Sequence, residues 1–195
     1  MAKKKEAKKA KSVLRNLPNM LTISRVIITF VVIYMIFAMY DIRITIAIFI
    51  IGALTDFFDG YLARKYNWRS EFGRKADMIA DRFLWAGTAL AFLFAYAFAG
   101  HLDLMHYMQL MFIMTREIVT APFAIVALFS GTLMPKVRTI AKLTTFIQGF
   151  ALPALILSVY YPIFSYISLP LSLVLLVMGF ISASNYIKDI NVKGK

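Results

Sequence analysis

The sequence contains no cysteine and little charge, and acidic residues are especially few. Without cysteine, disulfides and thiolate metal sites are excluded, so any metal ligands must be carboxylate, imidazole or carbonyl groups. Charged residues make up 16% of the chain, whereas hydrophobic residues make up 61%. A soluble domain is usually about 45–50% apolar, and the excess here is too large for a water-exposed surface. The composition therefore predicts an integral membrane protein.

The shortage of acidic residues leaves a net charge of +12 on 195 residues. This balance is typical of proteins that bind nucleic acid or an anionic membrane surface, and the apolar bulk favours the membrane. We therefore expect no nucleic-acid partner. Residues 1–15 carry seven basic residues against Glu6 alone. We expect this basic juxtamembrane tail either to bind anionic lipid headgroups or to be an ordinary solvated tail.

Six apolar runs follow the tail, each close to the roughly 20 residues that a helix needs to cross a bilayer core. Lipid offers no partner for unpaired backbone groups, so these runs must be helical. They cover residues 21–40, 43–63, 77–100, 105–130, 139–161 and 167–187. The sequence therefore predicts an all-α polytopic membrane protein, in which residues 16–195 form one domain of six transmembrane helices.

The distribution of Lys and Arg predicts how these helices are oriented. The connections at 64–75 and 136–138 are basic, as are both ends of the chain, whereas those at 100–103 and 161–162 hold no Lys or Arg and the short one at 41–43 holds Arg43 beside Asp41. Basic connections are retained on the cytoplasmic side of a membrane. We therefore expect both termini in the cytoplasm, in agreement with an even number of helices.

Two pairs of aspartates interrupt the apolar runs. Asp56 and Asp59 come late in the second run, and Asp77 and Asp81 open the third. Residues three or four apart share one face of a helix, so each pair presents both carboxyl groups on the same side. Because the second run ends and the third begins at the cytoplasmic surface, we expect the two pairs at a similar depth on adjacent helices.

Four carboxylates in one pocket would repel one another strongly in a low dielectric. Divalent cations relieve this repulsion, and carboxylate oxygens suit magnesium, manganese or calcium. Two metal ions about 3.5–4 Å apart, held by shared carboxylates, are the common arrangement for displacement at phosphorus. The alternative is a structural ion-pair cluster with nearby arginines, namely Arg64, Arg74 and Arg82.

The residues around the aspartates resemble a known signature. The pattern D-x2-D-G-x2-A-R-x8-G-x3-D-x3-D is that of the CDP-alcohol phosphotransferases, and all eight of its fixed positions match this sequence. They are Asp56, Asp59, Gly60, Ala63, Arg64, Gly73, Asp77 and Asp81. The family has six membrane helices and acts as a homodimer, so the resemblance implies the same fold and assembly for this chain.

The resemblance also implies a role for each residue. Asp56, Asp59, Asp77 and Asp81 would bind two divalent cations, Mg²⁺ or Mn²⁺, and Asp81 would also be the general base on the acceptor hydroxyl. The CDP-lipid donor would be bound by Asp56, Gly60, Ala63, Arg64, Gly73 and Asp77. A carboxylate can take that proton if it lies about 2.6–3.2 Å from the attacking oxygen.

Further along the chain, Arg116 and Glu117 lie inside the fourth apolar run. A charge at such depth costs about 2.5–3.5 kcal/mol, so it usually faces a cavity or a partner. Arg138 and Lys142 flank the start of the fifth run. We expect Arg116, Arg138 and Lys142 to hold the phosphate of the acceptor. The alternative is a structural Arg116–Glu117 pair with ordinary cytoplasmic-edge cations.

The flanking segments resemble one branch of the family. The opening from Asn16 to Arg25 is similar to that of phosphatidylglycerophosphate synthases and of cardiolipin synthases of this fold, and Thr115-Arg116-Glu117 is similar to a motif of the former. The stretch from Lys142 to Gln148 resembles their G-K-x-K-T-x-x-Q pattern, with Ala141 and Thr144 departing from it. Thr22 and Arg25 have either a direct role or an ordinary structural one.

This branch implies transfer of a phosphatidyl group from CDP-diacylglycerol, or a CDP-ether lipid, to sn-glycerol 3-phosphate in a prokaryotic cell membrane. Phosphatidylglycerol as acceptor, and an inositol phosphate or archaeal ether-lipid reaction, are the alternatives within the family. Outside it, the aspartates are also compatible with the transit site of a divalent-cation transporter. Their position at the cytoplasmic end, with no acidic residue continuing the route inside the last two runs, favours an enzyme with a cytoplasmic active site.

Overall fold

The computed structural model describes residues 22–65, 71–129 and 139–193. Within these, it describes the backbone but not the side chains of 56–65, 71–78, 81, 123–125, 127–129, 186 and 189–193. Apart from short turns and connections, the described part of the chain is helical, and it holds no strand, so the predicted all-α class is confirmed. Its helices are α1 (Thr22–Phe37), α2 (Ile42–Lys65), α3 (Glu71–Phe98), α4 (Leu104–Ile113), α5 (Thr115–Phe129), α6 (Thr139–Ser158) and α7 (Ser165–Lys193), with a 3₁₀ turn at Pro162–Phe164 before α7.

The fourth predicted run is not one continuous helix, because it divides into α4 and α5 at Met114. The backbone of Met114 has φ −91° and ψ 4°, which lies outside the helical region. Its amide still donates to the carbonyl of Leu110, and the Thr115 hydroxyl donates to the carbonyl of Met111 across the break. No Gly or Pro marks this position, so the break cannot be recognised from the apolar pattern.

Two of the helices end in the same left-handed turn. After α3, Gly100 has φ +71°, and the amides of Gly100 and His101 donate to the carbonyls of Ala97 and Tyr96. After α1, Met39 takes the corresponding place with φ +48°. This turn satisfies the last carbonyls of a helix, and glycine is the residue that adopts it most readily.

Two short connections are fixed by aspartates. Asp41 accepts hydrogen bonds from the backbone amide and the side chain of Arg43, and these bonds hold the pKa of the Asp41 carboxyl below its usual value. Asp103 caps α4 by accepting from the backbone amide of His106 at 2.9 Å. That bond in turn lowers the pKa of the Asp103 carboxyl.

Contacts group the chain into two compact units that divide within α3, after Phe92. In the first unit, α2 passes close to both α1 and α3. A Cβ added at Gly52 would lie 2.9 Å from Ile28 and 3.6 Å from Leu84, so the glycine permits this close approach. Edge-on packing of Phe49 against Trp85, with ring centroids 5.1 Å apart, fills the same layer.

In the second unit, α6 is the central helix. Its residues from Ala151 to Ile156 are all buried, and a helix that is buried on all sides must be covered by neighbours around its circumference. Those neighbours are α4 and α7, and α7 also packs along α5. This packing carries the first turn of α5 next to both α6 and α7.

Two stretches of described helix, Thr139–Ser158 and Pro162–Asn185, are long and apolar enough to cross a membrane. The other apolar stretches among the described residues are shorter: Thr22–Phe37, Ile42–Thr55, Arg82–Phe98 and Leu104–Ile113. The second predicted run carries one aspartate pair near its end, and the third carries the other pair at its start. These charges limit the uninterrupted apolar length of both runs.

Candidate active site

The four aspartates lie on two helices of the first unit. Asp56 and Asp59 are in the last part of α2, and Asp77 and Asp81 are in the first part of α3. Continuous helix at both places puts each pair of positions on one helical face. The side chains of all four lie outside the described residues, so their contacts and their roles stay predictions.

The other predicted donor-binding residues fall in the same part of the chain. Gly60, Ala63 and Arg64 belong to the last turns of α2, and Gly73 belongs to the first turn of α3, all of them outside the residues whose side chains are described. Where side chains are described, no three acidic or histidine residues come together.

Arg25, on α1, is 0% exposed, and Thr22 is 8% exposed. The hydroxyl of Thr29 donates to the carbonyl of Arg25 one turn along the helix. An arginine buried completely in an apolar chain is costly unless it has partners or a function. Its direct role stays a prediction.

Arg116, in the first turn of α5, is the best-described charged residue of the predicted acceptor site. Its side chain is 21% exposed, and its Nη1 atom donates to the hydroxyl of Thr145 at 2.6 Å and to the carbonyl of Ala141 at 3.4 Å. Within the described residues, neither Nε nor Nη2 of Arg116 has a hydrogen-bond partner. These two donors form part of the fork with which arginine binds phosphate.

The neighbouring Glu117 pairs only loosely with this arginine. Its Oε1 atom lies 3.6 Å from Nη1 of Arg116, which is within ion-pair distance but too long for a hydrogen bond. Its Oε2 atom accepts from the amide of the fully buried Gln148 on α6 at 3.2 Å. The predicted alternative of an Arg116–Glu117 pair is therefore present, without occupying the whole guanidinium.

Of the other two residues predicted to hold the acceptor phosphate, Lys142 is exposed on α6. It is the next residue along the chain after Ala141, whose backbone carbonyl accepts a hydrogen bond from Arg116. Arg138 lies outside the described residues.

Two contacts between helices and one glycine of this site were not predicted from the sequence. The Thr115-Arg116-Glu117 motif and the stretch from Lys142 to Gln148 were recognised separately, but the contact between them joins residues 29 and 31 apart. Gly179 on α7 was missed. A Cβ there would lie 3.1 Å from Cβ of Thr115 and 3.2 Å from the amide nitrogen of Arg116, so the glycine lets α7 pack against the first turn of α5. The only signal for it was a small residue in an apolar helix.

Comparison with known proteins agrees with the signature. The family model described as CDP-alcohol phosphatidyltransferase matches residues 15–178. A curated protein of Rickettsia typhi (strain ATCC VR-144 / Wilmington) is 34% identical over 146 residues, which cover 74% of this chain and 78% of that protein. Its name is CDP-diacylglycerol–glycerol-3-phosphate 3-phosphatidyltransferase.

Two further curated proteins carry the same name. One, of Rickettsia prowazekii (strain Madrid E), is 34% identical over 145 residues, or 73% of this chain and 76% of its own length. Another, of Salmonella paratyphi A (strain ATCC 9150 / SARB42), is 41% identical over 71 residues, or 35% of this chain and 39% of its own. The family match and these relatives show that the chain belongs to the CDP-alcohol phosphatidyltransferase family.

Proposed function

We propose that the protein transfers the phosphatidyl group of CDP-diacylglycerol to sn-glycerol 3-phosphate, giving phosphatidylglycerophosphate and CMP. The observation that carries this proposal is the alignment of about three quarters of the chain with relatives that are named for this reaction. Arg116 is partly exposed, and its Nε and Nη2 atoms make no hydrogen bond to any described residue, which supports an acceptor that bears a phosphate.

In the proposed reaction, a hydroxyl oxygen of glycerol 3-phosphate attacks the phosphorus that carries the diacylglycerol. A new P–O bond forms, the P–O bond of the pyrophosphate breaks, and CMP leaves with the electron pair. The hydroxyl proton goes to the carboxylate of Asp81, for which we propose the role of general base. Gly60, Ala63, Arg64 and Gly73 would line the site of the CDP group.

The donor set of four carboxylates, from Asp56, Asp59, Asp77 and Asp81, suits hard divalent cations. We propose that it holds two of them, Mg²⁺ or Mn²⁺, which would supply neutralisation of the pyrophosphate charge. The position of the two pairs, in the last part of α2 and the first part of α3, supports a shared site.

We further propose that the chain crosses the membrane six times, with both termini and the active site on the cytoplasmic side. The near alternation of basic and non-basic connections, with Arg43 in the short connection at 41–43 as the exception, supports this orientation. Residues 16–195 would form the catalytic domain and act as a homodimer, and residues 1–15 would bind anionic lipids. Membership of a transferase family favours an enzyme over the divalent-cation transporter.

The test is a CMP-release assay on the full chain in lipid nanodiscs, with CDP-diacylglycerol, Mg²⁺ and one acceptor at a time. Glycerol 3-phosphate, phosphatidylglycerol, inositol phosphate and serine form the panel. We expect CMP and phosphatidylglycerophosphate with glycerol 3-phosphate and only background with the others. Release of CMP with phosphatidylglycerol alone would make the protein a cardiolipin synthase instead.

The role of Asp81 has its own test. Asp81→Asn preserves the size of the side chain but removes the base, so we expect transfer to fall by at least about 100-fold, the lower end of general-base contributions. Thermal unfolding in nanodiscs would show that the fold is retained. Wild-type turnover by this variant would exclude Asp81 as the base.

A further inference from the structure

Two adjacent threonines on α6 differ in one contact. Thr144 donates its hydroxyl to the carbonyl of Ile140 at 2.8 Å, and Thr145 donates to the carbonyl of Ala141 at 3.1 Å. Both are therefore bonded to their own helix in the same way, four residues back. Among the described residues, only the Thr145 hydroxyl also accepts a bond from another helix, the 2.6 Å bond from Nη1 of Arg116.

The contact of Arg116 with α6 is a closed arrangement of three groups. The hydroxyl of Thr145 directs its hydrogen at the carbonyl of Ala141, so its lone pairs are left to accept from Arg116. The same Nη1 also reaches the carbonyl of Ala141 at 3.4 Å. One nitrogen of the guanidinium is thus held by two oxygen atoms of a single helical turn.

The N–H groups of a guanidinium lie in the plane of the group, so two bonds from Nη1 restrict the orientation of the whole guanidinium. A free arginine side chain loses several rotameric states when it binds an anion. An arginine side chain that is already held by hydrogen bonds has lost these states before the anion binds. Nε and Nη2 take no part in the contact with α6. The contact with Thr145 and Ala141 therefore orders the side chain of Arg116 and leaves Nε and Nη2 to bind a phosphate.

Gln148, three residues after Thr145 on α6, contacts the acidic neighbour of the same arginine. It donates to Oε2 of Glu117 and also lies within 3.4 Å of the carbonyl of Ile113, from a position that is 0% exposed. A carboxylate held in this way stays 3.6 Å from the arginine and does not close a two-pronged pair with it. The acidic neighbour balances part of the charge without occupying the fork.

We propose that Thr145 is a positioning residue, which seats the guanidinium of Arg116 so that its remaining donors bind the phosphate of the acceptor. Gln148 assists by holding Glu117 against α6. This inference rests on the proposed function, since it assigns a determinant of affinity for the phosphorylated acceptor. It gives Thr145 no contact with the substrate itself.

The test compares steady-state kinetics of Thr145→Val, Thr145→Ser and Thr144→Val in the full chain in nanodiscs. Valine has the shape of threonine without the hydroxyl, and serine restores the hydroxyl. We expect Thr145→Val to raise KM for glycerol 3-phosphate about fivefold to tenfold, the effect of losing one typical hydrogen bond. KM for CDP-diacylglycerol should stay within about twofold, and Thr145→Ser should recover most of the wild-type affinity.

Thr144→Val is the matched control, since it removes the same local bond at a neighbouring position but leaves Arg116 untouched. Equal effects of Thr144→Val and Thr145→Val on KM for glycerol 3-phosphate would overturn the proposal, as would equal changes for both substrates. If Thr145→Val does not fold, Thr145→Ala and Thr145→Ser provide the same contrast. Loss of positioning is distinct from failure of the proposed function, in which the wild type itself would release no CMP with glycerol 3-phosphate.

Discussion

Two polar contacts between helices of the second unit have the same length but differ in charge and in exposure to solvent. Arg116 of α5 donates to Thr145 of α6 at 2.6 Å, and Ser168 of α7 donates to Gln109 of α4, also at 2.6 Å. Ser168 is 0% and Gln109 is 5% exposed, and both are neutral. The arginine carries a full charge, keeps 21% of its side chain exposed, and uses only Nη1 for hydrogen bonds to the residues that the structure describes.

We propose that this difference distinguishes a structural contact from one that serves the binding of the acceptor. A neutral pair closed off from solvent satisfies polar groups that would otherwise be orphaned in an apolar interior, and it needs no ligand to do so. A charge that is only partly neutralised in the same surroundings is expensive, and such a residue is retained where something binds to it. We therefore expect the two contacts to respond to mutation in different measurements.

The largest effect should come from Arg116→Ala. Removing charge-assisted bonds to the acceptor phosphate should raise KM for glycerol 3-phosphate about 100-fold, with KM for CDP-diacylglycerol nearly unchanged. Arg116→Lys should lie in between, because an ammonium group keeps the charge without the fork. Steady-state kinetics with each substrate varied in turn would measure this. Equal rises for both substrates would contradict an acceptor-specific role.

A smaller effect is expected from Gly179→Ala, which places a methyl group of α7 against Cβ of Thr115 and the backbone of Arg116 on α5. The new methyl group would press on the backbone of α5, which cannot yield as a side chain can. KM for glycerol 3-phosphate should rise about threefold, and the unfolding midpoint should fall. Gly87→Ala is the control, since its nearest neighbour, at 3.3 Å, is the flexible end of Ile33. Similar kinetics for both variants would show that α7 does not position α5.

The neutral contact should affect stability alone. Ser168→Ala should lower the free energy of unfolding by about 0.6 kcal/mol, the average for interhelical hydrogen bonds in membrane proteins. A double-mutant cycle with Gln109→Leu would isolate the pair, and the kinetics of both variants should match wild type. A selective rise in KM for glycerol 3-phosphate would show that this contact belongs to the acceptor site after all.

The smallest effect concerns the cap at the start of α4. The amide of His106 lowers the pKa of Asp103 in the folded protein below its unfolded value. Its contribution to stability is therefore complete at neutral pH and is lost as the pH falls from the usual aspartate value through the lowered folded value. Unfolding midpoints measured from about pH 7 to pH 3 should show this loss in wild type but not in Asp103→Asn. Identical pH profiles would mean that the cap is not coupled to folding.

Much of the fold follows from the sequence, because apolar runs of membrane length must be helical. Among the described residues, the six predicted runs fall mainly on helices α1 to α7, and the fourth run falls on both α4 and α5. The division at Met114 could not be predicted, since neither composition nor a breaking residue marks it. It matters because it starts α5 one residue before Arg116.

The candidate site divides in the same way. Helical spacing and the signature identify Asp56, Asp59, Asp77 and Asp81 from local sequence alone. By contrast, the contact of Arg116 with Thr145 depends on packing between helices whose residues are 29 apart, and no period in the sequence specifies it. The sequence predicts the pairing of Arg116 with Glu117 as an alternative. It does not predict that Gln148 donates a hydrogen bond to the carboxylate of Glu117.

The most direct test of the account is the ratio of kcat/KM for glycerol 3-phosphate to kcat/KM for glycerol, measured in wild type and in Arg116→Ala. If Arg116, held in place by Thr145, binds the phosphate of the acceptor, the wild type should strongly prefer glycerol 3-phosphate over glycerol. This preference should nearly vanish in Arg116→Ala. A variant that keeps the wild-type ratio would contradict the account, because some other group would then be recognising the phosphate.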